Sequence, residues 1–301
     1  MRWLRVVTLL WSKSFGERWN GGDEFVPHTR KAPPVTQIGQ GSTGFRVELP
    51  SAATTLTLAW AALTDVGHRR EVNEDSLLAA PPLFAVADGM GGHSAGDVAS
   101  AAVVARLAEL SGTLVAEAGS IDRALALAVE DMAQGVGVTD QGTGTTVTGV
   151  ALALVSDAAS WIVYNIGDSR VYQLTGGVLE QVTNDHSVVQ ELVDAGRITR
   201  EEADVHPHGN IITRAVGFHE PPIPDYRILP IQAGMRILVC SDGLTKELTS
   251  YGIRHFLLEK KLAADAVTAM VEAALENGGR DNVTAIVVDV LAVEPYEAPE
   301  S

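Results

Sequence analysis

Asp88, Asp242 and Asp281 share one local design. Asp88 ends the apolar run 83–87 and meets glycine at once, in Val86-Ala-Asp-Gly-Met-Gly-Gly-His93. Asp242 follows Ile237-Leu-Val-Cys-Ser and precedes Gly243. Asp281 lies in Gly278-Gly-Arg-Asp-Asn282, just ahead of the apolar run 283–290. Each run has the length and β-branched content of a short buried strand, so each aspartate stands at a strand edge. Singly, an aspartate beside glycine is an ordinary turn or cap residue. Jointly, strand ends of one sheet can converge, and carboxylates facing one spot raise one another's pKa. A divalent cation removes that conflict. Oxygen donors with no Cys or His cluster point to Mg²⁺ or Mn²⁺ rather than zinc.

Those strand ends need a substantial scaffold. The chain has 301 residues, 46% of them hydrophobic, enough for one large domain or two small ones. The formal net charge of −16 argues against nucleic acid or an anionic membrane as partner and suits a site that collects carboxylates for cations. Cys240 is the single cysteine, so no internal disulfide forms, and a reducing, cytoplasmic setting is expected. No stretch is long enough to span a membrane, and the opening residues lack a small-residue cleavage site.

Residues 1–54 carry Gly and Pro pairs with no sustained period and are expected to form a poorly ordered arm. From residue 55 the pattern is regular. Strands are expected at 56–63, 77–80, 83–87, 145–155, 161–166, 170–174, 178–182, 226–229, 236–241 and 283–290. Helices are expected at 94–110, 121–134, 187–195, 199–203, 249–259 and 263–276. Neighbouring strands joined by short turns, such as Thr175-Gly-Gly177, argue for antiparallel sheet. Sheets covered by helices, an α+β sandwich, follow from that order.

The quoted stretches resemble those of the PPM family, the metal-dependent type 2C protein serine/threonine phosphatases of bacteria. Arg70-Glu-Val-Asn-Glu-Asp-Ser76, Val86 to His93, Gly142-Thr-Gly-Thr-Thr146, Asn165-Ile-Gly-Asp-Ser-Arg170, Thr183-Asn-Asp-His-Ser187, Cys240-Ser-Asp-Gly-Leu-Thr245 and Gly279-Arg-Asp-Asn-Val-Thr284 match family motifs in the family's order. The resemblance implies a four-layer α-β-β-α sandwich of two antiparallel sheets flanked by helices. Its phosphatase domain would cover 55–292, with a flap insert at 187–217 and a tail at 293–301.

The resemblance also implies a two-metal centre. Asp88 would bridge both cations, the Gly89 carbonyl would bind the second, and Asp242 and Asp281 would hold the first. Glu74 and Asp75 would support the second, partly through waters. Arg70 matches the phosphate-binding arginine, a role its planar fork suits, with a surface arginine as the alternative. Asp140 is either the ligand of a third cation or a loop residue. The general acid is either His93 or a metal-bound water, since Met90 stands where eukaryotic relatives carry histidine. Asp168 and His186 match motif positions but are expected to be structural, and His206 and His208 to be solvated flap residues.

A hydroxide bridging the cations would attack phosphorus in line, so no phosphoenzyme forms and neither Ser241 nor Cys240 is a nucleophile. The implied partners are phosphorylated proteins and a Ser/Thr kinase, and a monomer is expected. Two other readings share the site: a dead relative that captures phosphoproteins, disfavoured by the presence of all three aspartates, and a hydrolase of small phosphate esters.

Overall fold

The computed structural model describes residues 36–91, 95–135, 143–203, 206–218 and 221–298. The apolar runs fold as strands in two sheets. The first runs, in spatial order, β1 (Gln37–Gly39), β4 (Asp75–Ala80), β5 (Leu83–Met90), β7 (Val147–Val155), β8 (Ala158–Ile166) and β11 (Asp225–Pro230), with the short β6 (Gly144–Thr145) paired to β5. The second runs β10 (Val178–Gln181), β9 (Arg170–Thr175), β12 (Arg236–Cys240), β13 (Val283–Pro295), β3 (Thr54–Asp65) and β2 (Ser42–Leu49). Among the described strands, β1 beside β4 is the parallel pair and the rest are antiparallel.

Strand β5 explains why its sequence is apolar throughout. Phe84 and Val86 face the opposite sheet, while Leu83, Ala85 and Ala87 face helices. A strand covered on both faces has no polar side, so alternation disappears. Helices α1 (Gly96–Ala108) and α2 (Ala118–Gly135) cover the first sheet through Val103, Leu107, Ile121 and Leu125. Helices α6 (Ser250–Glu259) and α7 (Ala263–Glu276) cover the second through Ile253, Leu257, Val267 and Met270. Between the sheets, Trp60, Phe84 and Trp161 stack edge to face, with centroids 5.4 and 6.1 Å apart. The four expected layers are present.

Two expected boundaries move. The arm does not extend to residue 54: β1 and β2 lie within that range and join the sheets. In β2, Val47 and Leu49 are buried between exposed neighbours, and Leu49 pairs with Thr54. An edge strand that buries so few side chains leaves too short a period to read. Residues 1–35 lie outside the described residues. At the other end, β13 continues through Pro295, past the expected start of the tail. It follows the long β3 back to Thr54 after a register shift between Val290 and Ala292.

The insert 187–217 contains α3 (Val188–Asp194) and α4 (Arg200–Ala203). Ser187 caps α3, accepting from the Gln190 amide at 3.3 Å. A bridge between Ser187 and Ile212 closes the insert on itself, and one between Thr145 and Val216 fastens it to β6, beside the end of β5.

Candidate metal and phosphate site

Both sheets end at the same rim. In the first, the register of β4 with β5 sets Asp75 opposite Asp88. The Asp88 backbone is gripped on both sides. Its carbonyl accepts from the Thr146 amide and the Thr145 hydroxyl, each at 2.9 Å, and its amide donates to the Thr146 hydroxyl at 3.0 Å. Gly89 follows, its amide donating to the Glu74 carbonyl at 3.2 Å. A Cβ at Gly89 would stand 2.1 Å from the Gly96 carbonyl oxygen and 2.7 Å from that of Glu74. Only glycine lets the start of α1 lie this close to the strand end.

In the second sheet, β12 ends at Cys240 and the short helix α5 (Asp242–Thr245) begins directly, so Asp242 sits at a helix start rather than in an open turn. Asp281 precedes β13. Asn282 joins the pieces: its side chain accepts from the Glu74 amide at 2.9 Å and donates to the carbonyls of Val66 and Val72, at 2.9 and 3.0 Å. This holds the loop that carries Arg70 and Glu74 against the one that carries Asp281.

Asp75 is 1% exposed. One of its carboxylate oxygens accepts from the hydroxyls of Ser241 at 2.9 Å and Thr284 at 2.6 Å, while the other, Oδ1, has no hydrogen-bond partner. Oδ1 of Asp242 is likewise buried and unpartnered. Burial, and then Asp242 and Asp281, push the Asp75 carboxyl up to about 7 against the pull of its two hydroxyl donors. Burial together with Asp75, Asp242, Asp168 and Asp281 holds Asp88 well above the carboxylate range. Asp168 is pushed up to about 7, first by burial and then by Asp242 and Asp185. Glu74 is raised by burial. Buried carboxylates that raise one another, with orphaned oxygens among them, are a donor set that fits hard divalent cations.

Among the described residues, no three His, Cys, Asp or Glu side chains stand as a preassembled metal cage. Side-chain cations hold the oxygens instead. Arg70 pairs with Asp281 through two nitrogens, at 2.8 and 3.0 Å. Lys246 Nζ lies 2.5 Å from Asp242 and 3.2 Å from Asp281. Although burial opposes the charge, these carboxylates hold both cations above their ordinary pKa.

Arg70, Glu74, Asp75, Asp88, Gly89, Asp242 and Asp281 are thus gathered at one rim. His93 and Asp140 lie outside the described residues. Asp168 reaches the edge of the acidic cluster. His186 has a structural setting: its Nδ1 accepts from the Gly167 amide at 3.0 Å, and Nε2 lies 3.2 Å from Asp225. Arg170 grips Asp185 nearby, at 2.6 to 3.0 Å. His206 and His208 stack on each other on the insert, with ring centroids 5.3 Å apart. Sequence reasoning missed the work of Asn282, Thr145 and Thr146, although all three stand inside the quoted motifs. It also missed Lys246, whose signal was its spacing of four residues from Asp242.

A family model described as Protein phosphatase 2C matches residues 64–277. The serine/threonine protein phosphatase PstP of Mycobacterium tuberculosis is 42% identical over 245 residues, which is 80% of this chain and 46% of that protein. The chain therefore spans about half the length of that relative. The serine/threonine phosphatase stp of Listeria monocytogenes is 34% identical over 239 residues, 75% of this chain and 93% of that protein. A crystal structure of the PstP catalytic domain in complex with two manganese ions superposes with a TM-score of 0.69 at 37% identity, covering 78% of this chain and 99% of that one. With the motif order, the layered fold and the rim of carboxylates all in agreement, the chain belongs to the protein phosphatase 2C family.

Proposed function

We propose that this chain is a metal-dependent protein phosphatase that releases phosphate from phosphoserine and phosphothreonine by direct transfer to water. The observation that carries the reading is the meeting of Asp75 and Asp88 from one sheet with Asp242 and Asp281 from the other, two of these carboxylates keeping a buried oxygen without a partner. Asp88 would bridge two cations, with Asp242 and Asp281 on the first and the Gly89 carbonyl, Glu74 and Asp75 serving the second. Two Mn²⁺ or Mg²⁺ ions there would supply a water of lowered pKa and Lewis acidity toward the phosphoryl oxygens. The manganese-bound PstP domain supports this cofactor choice. Asp140 is a candidate ligand for a third cation, and His93 a candidate general acid.

The chain's own groups supply recognition and order. Arg70 is half-exposed at the rim, and its fork, when released from Asp281, matches two phosphoryl oxygens. No phosphoenzyme is needed. The Ser241 hydroxyl is engaged between Asp75 and the Thr284 amide, at 2.9 and 3.0 Å. The Cys240 thiol is fully buried and pushed up to about 12 by that burial. Neither is free to attack phosphorus. The insert 187–217 flanks the site and would influence which phosphoproteins fit.

The substrates would be cytoplasmic phosphoproteins made by a serine/threonine kinase, a compartment that suits the lone cysteine. Among the described residues, no helix is long and apolar enough to cross a membrane. The test is phosphate release from a phosphothreonine peptide by the purified full chain. Release that requires Mn²⁺ or Mg²⁺, stops on chelation and exceeds turnover of small phosphate esters is expected. Turnover unaffected by chelation would overturn the reading.

A further inference from the structure

We propose that Lys246 is a tethered counter-ion of the metal centre, competing with divalent cations for the Asp242 and Asp281 oxygens, so that it must withdraw for metal to bind. This rests on the metal-centre reading above. The geometry is built in by α5. Lys246 follows Asp242 by four residues, and its amide closes that helical turn by donating to the Asp242 carbonyl at 2.8 Å. That spacing stacks the two side chains on one face of the turn. The ammonium then returns to Asp242 at 2.5 Å and reaches across to Asp281 at 3.2 Å.

These are the carboxylates assigned to one cation, one from the end of β12 and one from the loop before β13. A single positive charge therefore ties two chain segments together when metal is absent. Arg70 also holds Asp281, through both carboxylate oxygens, and is assigned above to phosphate. No corresponding demand holds Lys246 in place. Its flexible four-carbon stem and compact charge suit a group that enters and leaves, unlike a rigid guanidinium fork. Glu247 next in sequence is already taken, its carboxylate binding Arg280 at 2.9 and 3.0 Å, so the lysine has no anchor there.

Competition predicts that removing the charge tightens metal binding while loosening the metal-free protein. Mn²⁺ affinity of the full chain is measured by titration calorimetry, and metal-free melting by circular dichroism. Lys246→Met is expected to bind Mn²⁺ at least about tenfold more tightly than wild type and to melt lower without metal. Lys246→Arg, which keeps the charge, is expected to stay weak. Unchanged or weaker Mn²⁺ binding by a folded Lys246→Met protein overturns the proposal. Acetylation of Lys246 in the wild-type protein, read by mass spectrometry, needs no variant. Its yield should rise several-fold when saturating Mg²⁺ is added, and an unchanged or lower yield overturns the proposal. A wild-type protein that binds no divalent cation would sink the metal-centre reading itself. One that binds metal with an affinity Lys246→Met does not change would sink this inference alone.

Discussion

Asp75 stands directly opposite Asp88 in the antiparallel register of β4 with β5. Like charges directly opposed across two strands repel, and here burial strengthens the conflict. Both backbones are held in place. Asp88 is held by Thr145 and Thr146, and the Asp75 amide by Asn73 at 3.1 Å. This pairing therefore carries a local cost that the proposed cation would remove, a trade of stability for function.

Replacing Asp88 by Asn removes a group that must either take up a proton or carry a buried charge on folding, and it keeps the shape. The Asp88→Asn protein is expected to be more stable than wild type without metal, by about 1–3 kcal/mol, and to lose the rise in melting temperature on adding Mn²⁺. Thermal melts with and without Mn²⁺ check both halves. A less stable metal-free variant would contradict the repulsion.

The same carboxyls set the sign of a pH effect. Asp75 and Asp168 titrate near 7 when folded, well above the ordinary aspartate value, and Asp88 is also raised. Between the unfolded and folded values the native state holds protons that the unfolded chain has released, so stability falls as pH rises through about 4 to 7. Metal-free protein should gain melting temperature on going from pH 7.5 to 6 relative to the metal-loaded form. Groups remote from the rim, His186 among them, contribute equally to both forms and cancel. Parallel pH profiles for the two forms would refute the assignment.

Gly89→Ala tests the close approach of α1 to β5. The new methyl would meet the Gly96 carbonyl oxygen at 2.1 Å, and backbone cannot yield as a side chain does. A loss of about 2–4 kcal/mol is expected in urea unfolding, together with loss of metal response as the strand end shifts. A change under about 0.5 kcal/mol would mean the approach is looser than described.

Ser241→Ala separates structural from nucleophilic roles. Removing the hydroxyl takes one donor from Asp75 and an acceptor from the Thr284 amide, which should cost about 1–3 kcal/mol of stability. Phosphatase activity should persist within about tenfold of wild type. A loss of about 10⁴-fold or more would make Ser241 a nucleophile and require a phosphoenzyme.

From residue 55 onward the pattern of residues alone determined most of the strands and helices, and that Asp88, Asp242 and Asp281 stand at or beside strand ends. It did so because buried strands and amphipathic helices impose short-range periods that survive in the sequence. The motif order then identified the family. Tertiary structure decided what no local period encodes. The pairing of β4 with β5 put Asp75 against Asp88, and β2 emerged from a stretch with too few buried side chains to show a pattern. Asn282 became the tie between the Glu74 loop and β13, more than 200 positions apart in the chain, because register brought their ends to one rim. Lys246 looks like an ordinary charged residue beside a short helix until the fold supplies Asp281 across from it. A residue's type limits the chemistry it can do, but long-range register chooses its partners, and in this site the partners carry the chemistry.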